Sequence, residues 1–238
     1  MVELKDFTIG YGNRVLLQEV NTVFGAGQLT ALIGRNGTGK STMLRALAGL
    51  NPHYTGTVSI DGTDIRRMDA GKMARRLAFV TTERTRIANL RCSDVVAIGR
   101  APYTNWMGRM QDCDREIVMQ SLQAVGMADY ADRTMDRMSD GECQRIMIAR
   151  ALAQDTPVML LDEPTSFLDL PNRYELCTLL ARLAHDRGKC IMFSTHELDI
   201  ALNLADNIAL VDTPRLHNMP AADMERSGLI QRLFAINK

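Results

Sequence analysis

Leu29-Thr30-Ala31-Leu32-Ile33, leading into Gly34-Arg35-Asn36-Gly37-Thr38-Gly39-Lys40-Ser41, is the stretch on which the fold turns. The first five residues read as a strand, and Lys40–Ala48 as a helix that Gly49 and Pro52 stop. Between them Gly34–Ser41 fits G-x-x-x-x-G-K-[ST] in full, in the strand-loop-helix setting that a phosphate loop requires. Glycines let consecutive backbone N–H groups converge on phosphate oxygens, and the helix N-terminus adds partial positive charge. Lys40 would reach the β and γ phosphates and Ser41 would ligate Mg²⁺. A glycine-rich turn that merely caps a helix matches this pattern by chance on the order of once in a hundred such chains.

Upstream, Leu4–Ile9 and Val15–Phe24 flank Tyr11-Gly12-Asn13, which reads as a hairpin turn in a small antiparallel sheet. Downstream, Thr57–Ile60 with its Asp61-Gly62 turn, and then Leu77–Thr81, return to strand character. From about Glu83 to Ala153 the periodicity is mainly helical, most clearly over Asp112–Val125 and Cys143–Ala153. Strand and helix then alternate through Val158–Leu161, a helix over 172–187, Cys190–Ser194, a helix over 197–205 and Ile208–Val211. This order predicts an α/β fold: a mostly parallel sheet, an N-terminal antiparallel β subdomain and an inserted helical subdomain. The expected division is a core of residues 1–82 and 157–238 around a helical unit of 83–156, within one domain over 1–238.

Val158–Leu161 ends in Asp162-Glu163, two carboxylates at the C-terminal end of a strand, where open α/β sheets bind ligands. Asp162 suits Mg²⁺, and Glu163, one residue further on, suits an attacking water. Alone, this would pass for an acidic turn before Pro164. Cys190–Phe193 is likewise followed by Ser194-Thr195-His196, placing His196 within reach of a γ-phosphate. His53, His185 and His217 have no partner pattern and are expected to be solvated. Ser139-Asp140-Gly141-Glu142 reads as a capping box, or as an anion site at a helix N-terminus, and spacing does not choose between them.

Together and in this order, the motifs resemble the ATP-binding-cassette family over nearly the whole chain. The resemblance implies a P-loop NTPase of RecA-like fold that binds ATP and Mg²⁺ and hydrolyses ATP. It implies that Tyr11 stacks on adenine and that Gly34, Arg35, Asn36, Gly37, Thr38, Gly39, Lys40, Ser41 and Thr42 hold the nucleotide. Ser41 and Asp162 then serve the metal, Glu163 and His196 serve catalysis, and Leu168 and Asp169 form the D-loop. Ser139, Gly141 and Glu142 form the signature loop, which in this family meets the γ-phosphate held by a second copy arranged head to tail.

Two departures stand out. Where the family carries Gln after the strand Leu77–Thr81, this chain has Thr82 and then Glu83, so that a hydroxyl replaces the amide at the metal. The family signature reads Leu-Ser-Gly-Gly-Gln, whereas Met138-Ser139-Asp140-Gly141-Glu142 adds two carboxylates, which disfavour a phosphate unless they point away or pair with Arg.

Ala97–Trp106 resembles the ATPases of importers for iron-siderophore, haem or cobalamin. That resemblance implies a separate integral-membrane permease docking on residues 83–106, an indirect link to a substrate-binding protein, no nucleic-acid partner, and a place at the cytoplasmic face of the membrane. A soluble cassette ATPase acting on DNA, or in the assembly of another complex, would carry long coiled coils between Ser41 and Ser139, and that interval is too short and lacks sustained heptads. A small-metabolite kinase would lack both the signature loop and the His196 pattern.

Composition agrees. Basic and acidic residues balance at 28 each over 238 residues, which excludes a nucleic-acid coat or an acidic tail protein. With 46% hydrophobic residues there is material for one sizeable core. Apolar runs never exceed four residues, against the roughly 20 of a membrane helix, and the alternating start MVELKDFTIG carries no expected secretory signal. Five cysteines without a C-x-x-C pair are expected to be structural thiols. The neutrality is a sum of unlike blocks. Arg66–Arg109 holds ten basic and three acidic residues, and Met110–Glu142 eight acidic and three basic. The basic block overlaps the expected permease-facing cleft and would also suit anionic lipid headgroups.

Overall fold

Strands β1 (Val2–Tyr11) and β2 (Arg14–Phe24) form the expected N-terminal hairpin, and the chain then enters β3 (Gln28–Gly34) and helix α1 (Lys40–Leu47). β4 (Tyr54–Ile60) and β5 (Thr63–Asp64) complete a four-stranded antiparallel sheet in the order β2-β1-β4-β5. Helix α2 (Ala70–Arg76) leads into β6 (Leu77–Val80), followed by α3 (Cys92–Ala97), α4 (Asp112–Ala124) and α5 (Asp140–Ala153). The alternation resumes with β7 (Val158–Leu161), α6 (Leu170–Arg187), β8 (Cys190–Ser194), α7 (Leu198–Leu204), β9 (Asn207–Asp212), β10 (Arg215–Pro220), α8 (Ala221–Arg226) and α9 (Leu229–Phe234). The computed structural model describes residues 1–83, 87–104 and 110–234.

The second sheet runs β10-β9-β3-β8-β7-β6, parallel except for the β10 edge. Apart from the β10 edge it is buried on both faces, which explains the unbroken apolar runs of its other strands. Because side chains alternate along a strand, Ala31, Ile33, Met159, Leu161, Ile191 and Phe193 fill one core with the helices, while Leu32, Val158, Leu160 and Met192 fill a second core with α1 and the antiparallel sheet. Each large apolar side chain buried this way contributes about 1.5–3 kcal/mol. The four adjacent parallel strands β3, β8, β7 and β6 end on one edge, and every strand-end motif therefore meets there.

α5 links two distant places. Its N-terminus carries Ser139, and beyond its C-terminus Gln154 Nε2 donates to Ala74 O (2.7 Å) and Leu77 O (3.0 Å), fastening the helix to α2 and β6. Arg100, buried with Asp114 at 2.9 Å, also donates to Ala153 O at 2.8 Å.

Several expectations need correction. β10, α8 and α9 extend the C-terminal region beyond the last predicted strand, and α3 is a separate six-residue helix. Four cysteines are buried, and burial pushes the Cys92 and Cys190 thiols up to about 11 and Cys177 up to about 12, as structural thiols require. Cys113 differs: it is exposed in the first turn of α4. His185 is not simply solvated, since its Nε2 lies 2.9 Å from Asp206 Oδ2, and the half-buried His217 sits within β10. Of the expected permease-facing stretch, residues 84–86, 105 and 106 lie outside the described residues.

Candidate active site

The phosphate loop opens where β3 ends. Gly39 caps α1 in the left-handed region (φ 103°), where a Cβ would lie 3.0 Å from Leu16 Cδ1, so glycine is needed for both backbone and space. No side chain caps this helix and its first turn carries no acid. The N–H groups of Gly39, Lys40, Ser41 and Thr42 have no acceptor among the described residues. Such a row of orphan donors fits a phosphate group. Lys40, almost fully buried, donates to Gly34 O (2.9 Å) and Arg35 O (3.2 Å) from beneath the loop. Burial lowers its pKa, while the charges of Glu163 and Asp162 work in the opposite sense.

The carboxylate of Asp162, at the end of β7, is held by two hydroxyls: Ser41 Oγ donates to Oδ1 at 3.0 Å and Ser194 Oγ donates to the same oxygen at 2.7 Å. Thr82 Oγ1 donates to the Asp162 carbonyl at 2.9 Å, so its proton is directed at the backbone and its lone pairs stay available. Ser41 and Asp162, with Thr82 beside them, form a hard oxygen set suited to Mg²⁺. Glu83, next along, pairs with Arg45 of α1 at 2.9 Å.

Glu163 is fixed from three sides. Its N–H donates to Ser194 Oγ (2.8 Å), Ser166 Oγ lies 3.2 Å from its Oε2, and His196 Nε2 lies 2.5 Å from its Oε1. Its φ of 48° is unusual for a residue with a side chain, and such strain gathers at functional sites. Ser194 thus touches both Asp162 and Glu163, a contribution the sequence reading missed. The register Leu161↔Phe193 carries the reason, because the residues following these two stand side by side.

Tyr11, Arg14, Leu16, Asn36, Gly37, Gly39, Lys40, Ser41, Thr42, Glu163 and His196 line one cleft of about 740 Å³. Tyr11 is 61% exposed at its rim, its hydroxyl accepting from Thr42 Oγ1 at 3.4 Å. Arg14 and Leu16 were not foreseen. Gly34, Arg35, Thr38, Asp162 and Thr82 belong to the loop and strand ends around the cleft.

Ser139, Gly141, Glu142 and Asp169 do not line it. Ser139 caps α5, and Glu142 Oε2 accepts from both Ser139 N–H (2.8 Å) and Ser139 Oγ (2.9 Å). These bonds, helped by the Tyr130 hydroxyl and the nearby charge of Arg133, hold the Glu142 carboxyl below its usual range, so it is ionised and turned onto its own serine. A Cβ on Gly141 would lie 3.1 Å from Phe167 O, placing the signature and D-loops in contact. Asp169 caps α6, accepting from Asn172 N–H at 3.2 Å.

The phosphate loop, the paired carboxylates and the histidine at three adjacent strand ends define a nucleoside-triphosphate hydrolase. The family pattern described as ABC transporter matches residues 17–166, and the chain belongs to that family as an ABC-type ATPase on the P-loop NTPase fold. It is 35% identical over 230 residues to the iron(3+)-hydroxamate import ATP-binding protein FhuC of Bacillus subtilis, spanning 96% of this chain and 86% of that one. A solved inward-facing ABC transporter of metal-chelate type superposes with a TM-score of 0.85 at 26% identity, covering 98% of this chain and 88% of its own. The dimeric ABC transporter cassette MJ0796 superposes at 0.82, with 26% identity, 93% of this chain and 99% of its own. Among the described residues no helix is long and apolar enough to cross a membrane.

Proposed function

We propose that the chain drives import of a ferric siderophore or a related metal chelate, working as a head-to-tail pair bound to a separate membrane permease at its cytoplasmic face. The observation that carries this reading is the division of the site: the cleft holds the phosphate loop, Glu163 and His196, whereas Ser139 and Gly141 lie away from it on α5. A second copy, turned head to tail, brings its signature loop to this cleft. The named relatives that import iron chelates supply the cargo class. A permease fits the apolar groove of about 400 Å³ between α1, α2 and β6, lined by Leu50, Met68, Met73, Leu77, Phe79 and Gln154. In this reading residues 83–156 move as a unit against the core of 1–82 and 157–238.

ATP lies over the loop, with Tyr11 against the base and the orphan N–H groups and Lys40 on the phosphates. Ser41, Asp162 and Thr82 would hold Mg²⁺, which when bound would supply charge neutralisation for the phosphates. Glu163 orients the attacking water and accepts its proton, and His196 keeps Glu163 in place while facing the γ-phosphate. Asp169 and Glu142 shape the partner's side of the site. Uptake assays with ferric siderophores, haem and cobalamin, using the co-expressed permease, test the cargo. Uptake of haem or cobalamin alone overturns the siderophore assignment.

A further inference from the structure

The loop between β7 and α6 carries Glu163 near its start, with φ in the left-handed region, and ends at Asp169, the cap of α6. Two charged side chains fasten it partway along. Glu197, the residue after His196, accepts on Oε1 from Thr165 Oγ1 (3.3 Å) and from Arg173 Nη1 (2.9 Å). Arg173, in the first turn of α6, also folds back so that its Nε donates to Leu168 O at 2.6 Å. Glu197 Oε2 is buried and finds no donor among the described residues, so Oε1 alone carries the link. Arg173 and Glu197 are half-buried, the Thr165 and Leu168 they hold are buried, and neither charged side chain lines the nucleotide cleft.

We propose that Arg173 and Glu197 are positioning residues for ATP hydrolysis: their ion pair ties the loop after β7 to the segment after β8 and so sets how Glu163 and His196 face the γ-phosphate. The inference rests on the roles given above to Glu163 and His196. Beyond the strand ends, the two segments meet at two levels. His196 Nε2 lies 2.5 Å from Glu163 Oε1, and further along the chain Thr165 meets Glu197. One contact fixes a distance; the second also fixes the angle between the segments. Arg173 then joins the far end of the loop to the same carboxylate oxygen, because its rigid guanidinium presents Nε to the Leu168 carbonyl and Nη1 to Glu197. Such support matters for an attacking water, since a misplacement of about 1 Å can cost on the order of a hundredfold in rate.

The test combines steady-state ATPase kinetics with the equilibrium affinity for a fluorescent ATP analogue. Arg173→Gln and Glu197→Gln should each lower kcat about tenfold or more while affinity stays within about twofold, because neither side chain lines the cleft. The double variant should be about as slow as the slower single, since both substitutions break one link. The inference is overturned if either single variant turns over like the parent, if affinity falls in step with kcat, or if the two losses multiply. Should Arg173→Gln melt early by circular dichroism, Arg173→Lys replaces it, keeping a charge for Glu197 without the fixed second donor that Leu168 O takes. Its kcat should still fall about threefold or more, and a parental kcat overturns the inference. His196→Ala is assayed in parallel. Parental turnover there overturns the catalytic reading, whereas impaired turnover there beside parental turnover in the glutamine variants overturns the link alone.

Discussion

The two helix N-termini that matter here, those of α1 and α5, are built in opposite ways. α1 begins after an uncapping glycine, has no acid in its first turn, and leaves four N–H groups free for an anion. α5 begins with a serine and closes on itself through a capping box, with Asp140 and Glu142 in its first turn. The first terminus is ready for phosphate before any arrives, while at the second the capping box takes up two of the donors, the N–H groups of Ser139 and Glu142. A helix start is therefore not an anion site by position alone; what decides is whether its orphan donors have been left unmet.

Removing the charge under the open terminus should have the largest effect. Lys40→Ala is expected to weaken ATP binding by 100-fold or more, measured by titration with a fluorescent ATP analogue. Near-normal affinity would mean that the orphan N–H groups suffice. Next, Glu163→Gln should keep ATP binding yet lower kcat by roughly 100-fold or more and trap an ATP-bound dimer. Ordinary turnover in steady-state assays would remove Glu163 from the mechanism.

Ser194→Ala should cost about 1–3 kcal/mol in a denaturant melt, since the Glu163 N–H and Asp162 Oδ1 each lose a buried partner. A roughly tenfold fall in kcat should accompany it. At the closed terminus, Ser139→Ala should cost about 0.5–2 kcal/mol of stability through the lost cap, a loss invisible if the box does not form in solution.

The smallest effect concerns pH. Glu142 has its pKa depressed in the fold, so its stabilisation is present above the ordinary carboxylate value of about 4.3 and is lost as pH falls through the lower folded value. The stability advantage of the native chain over Glu142→Gln, a few tenths of a kcal/mol for so exposed a group, should accordingly fade below about pH 4 in thermal melts. An advantage independent of pH would assign it to packing instead.

Most of the site was legible because each motif ends a strand buried on both faces, and such strands announce themselves as short apolar runs next to polar residues. Lys40, Asp162, Glu163 and His196 were found this way. Ser194 was adjacent to a recognised residue yet unassigned, because its contacts depend on β8 lying beside β7, and strand order is not written locally. β10 was missed for a different reason: as an edge strand reading Arg-Leu-His-Asn-Met-Pro, it has no apolar alternation to betray it. The closed state of the signature terminus was left open by spacing because capping box and anion site use the same residues, and only the Glu142 oxygen positions separate them.

The attachment of Gln154 to Ala74 and Leu77 has a mechanical side. Fourteen residues of unbroken helix make α5 about 21 Å long. One end is clamped at the apolar groove by the Gln154 amide on two carbonyls and by Arg100 on Ala153 O, and the other presents Ser139, so the helix has the geometry of a lever arm. Over that length a tilt of about three degrees at the clamped end corresponds to about 1 Å of displacement at the serine.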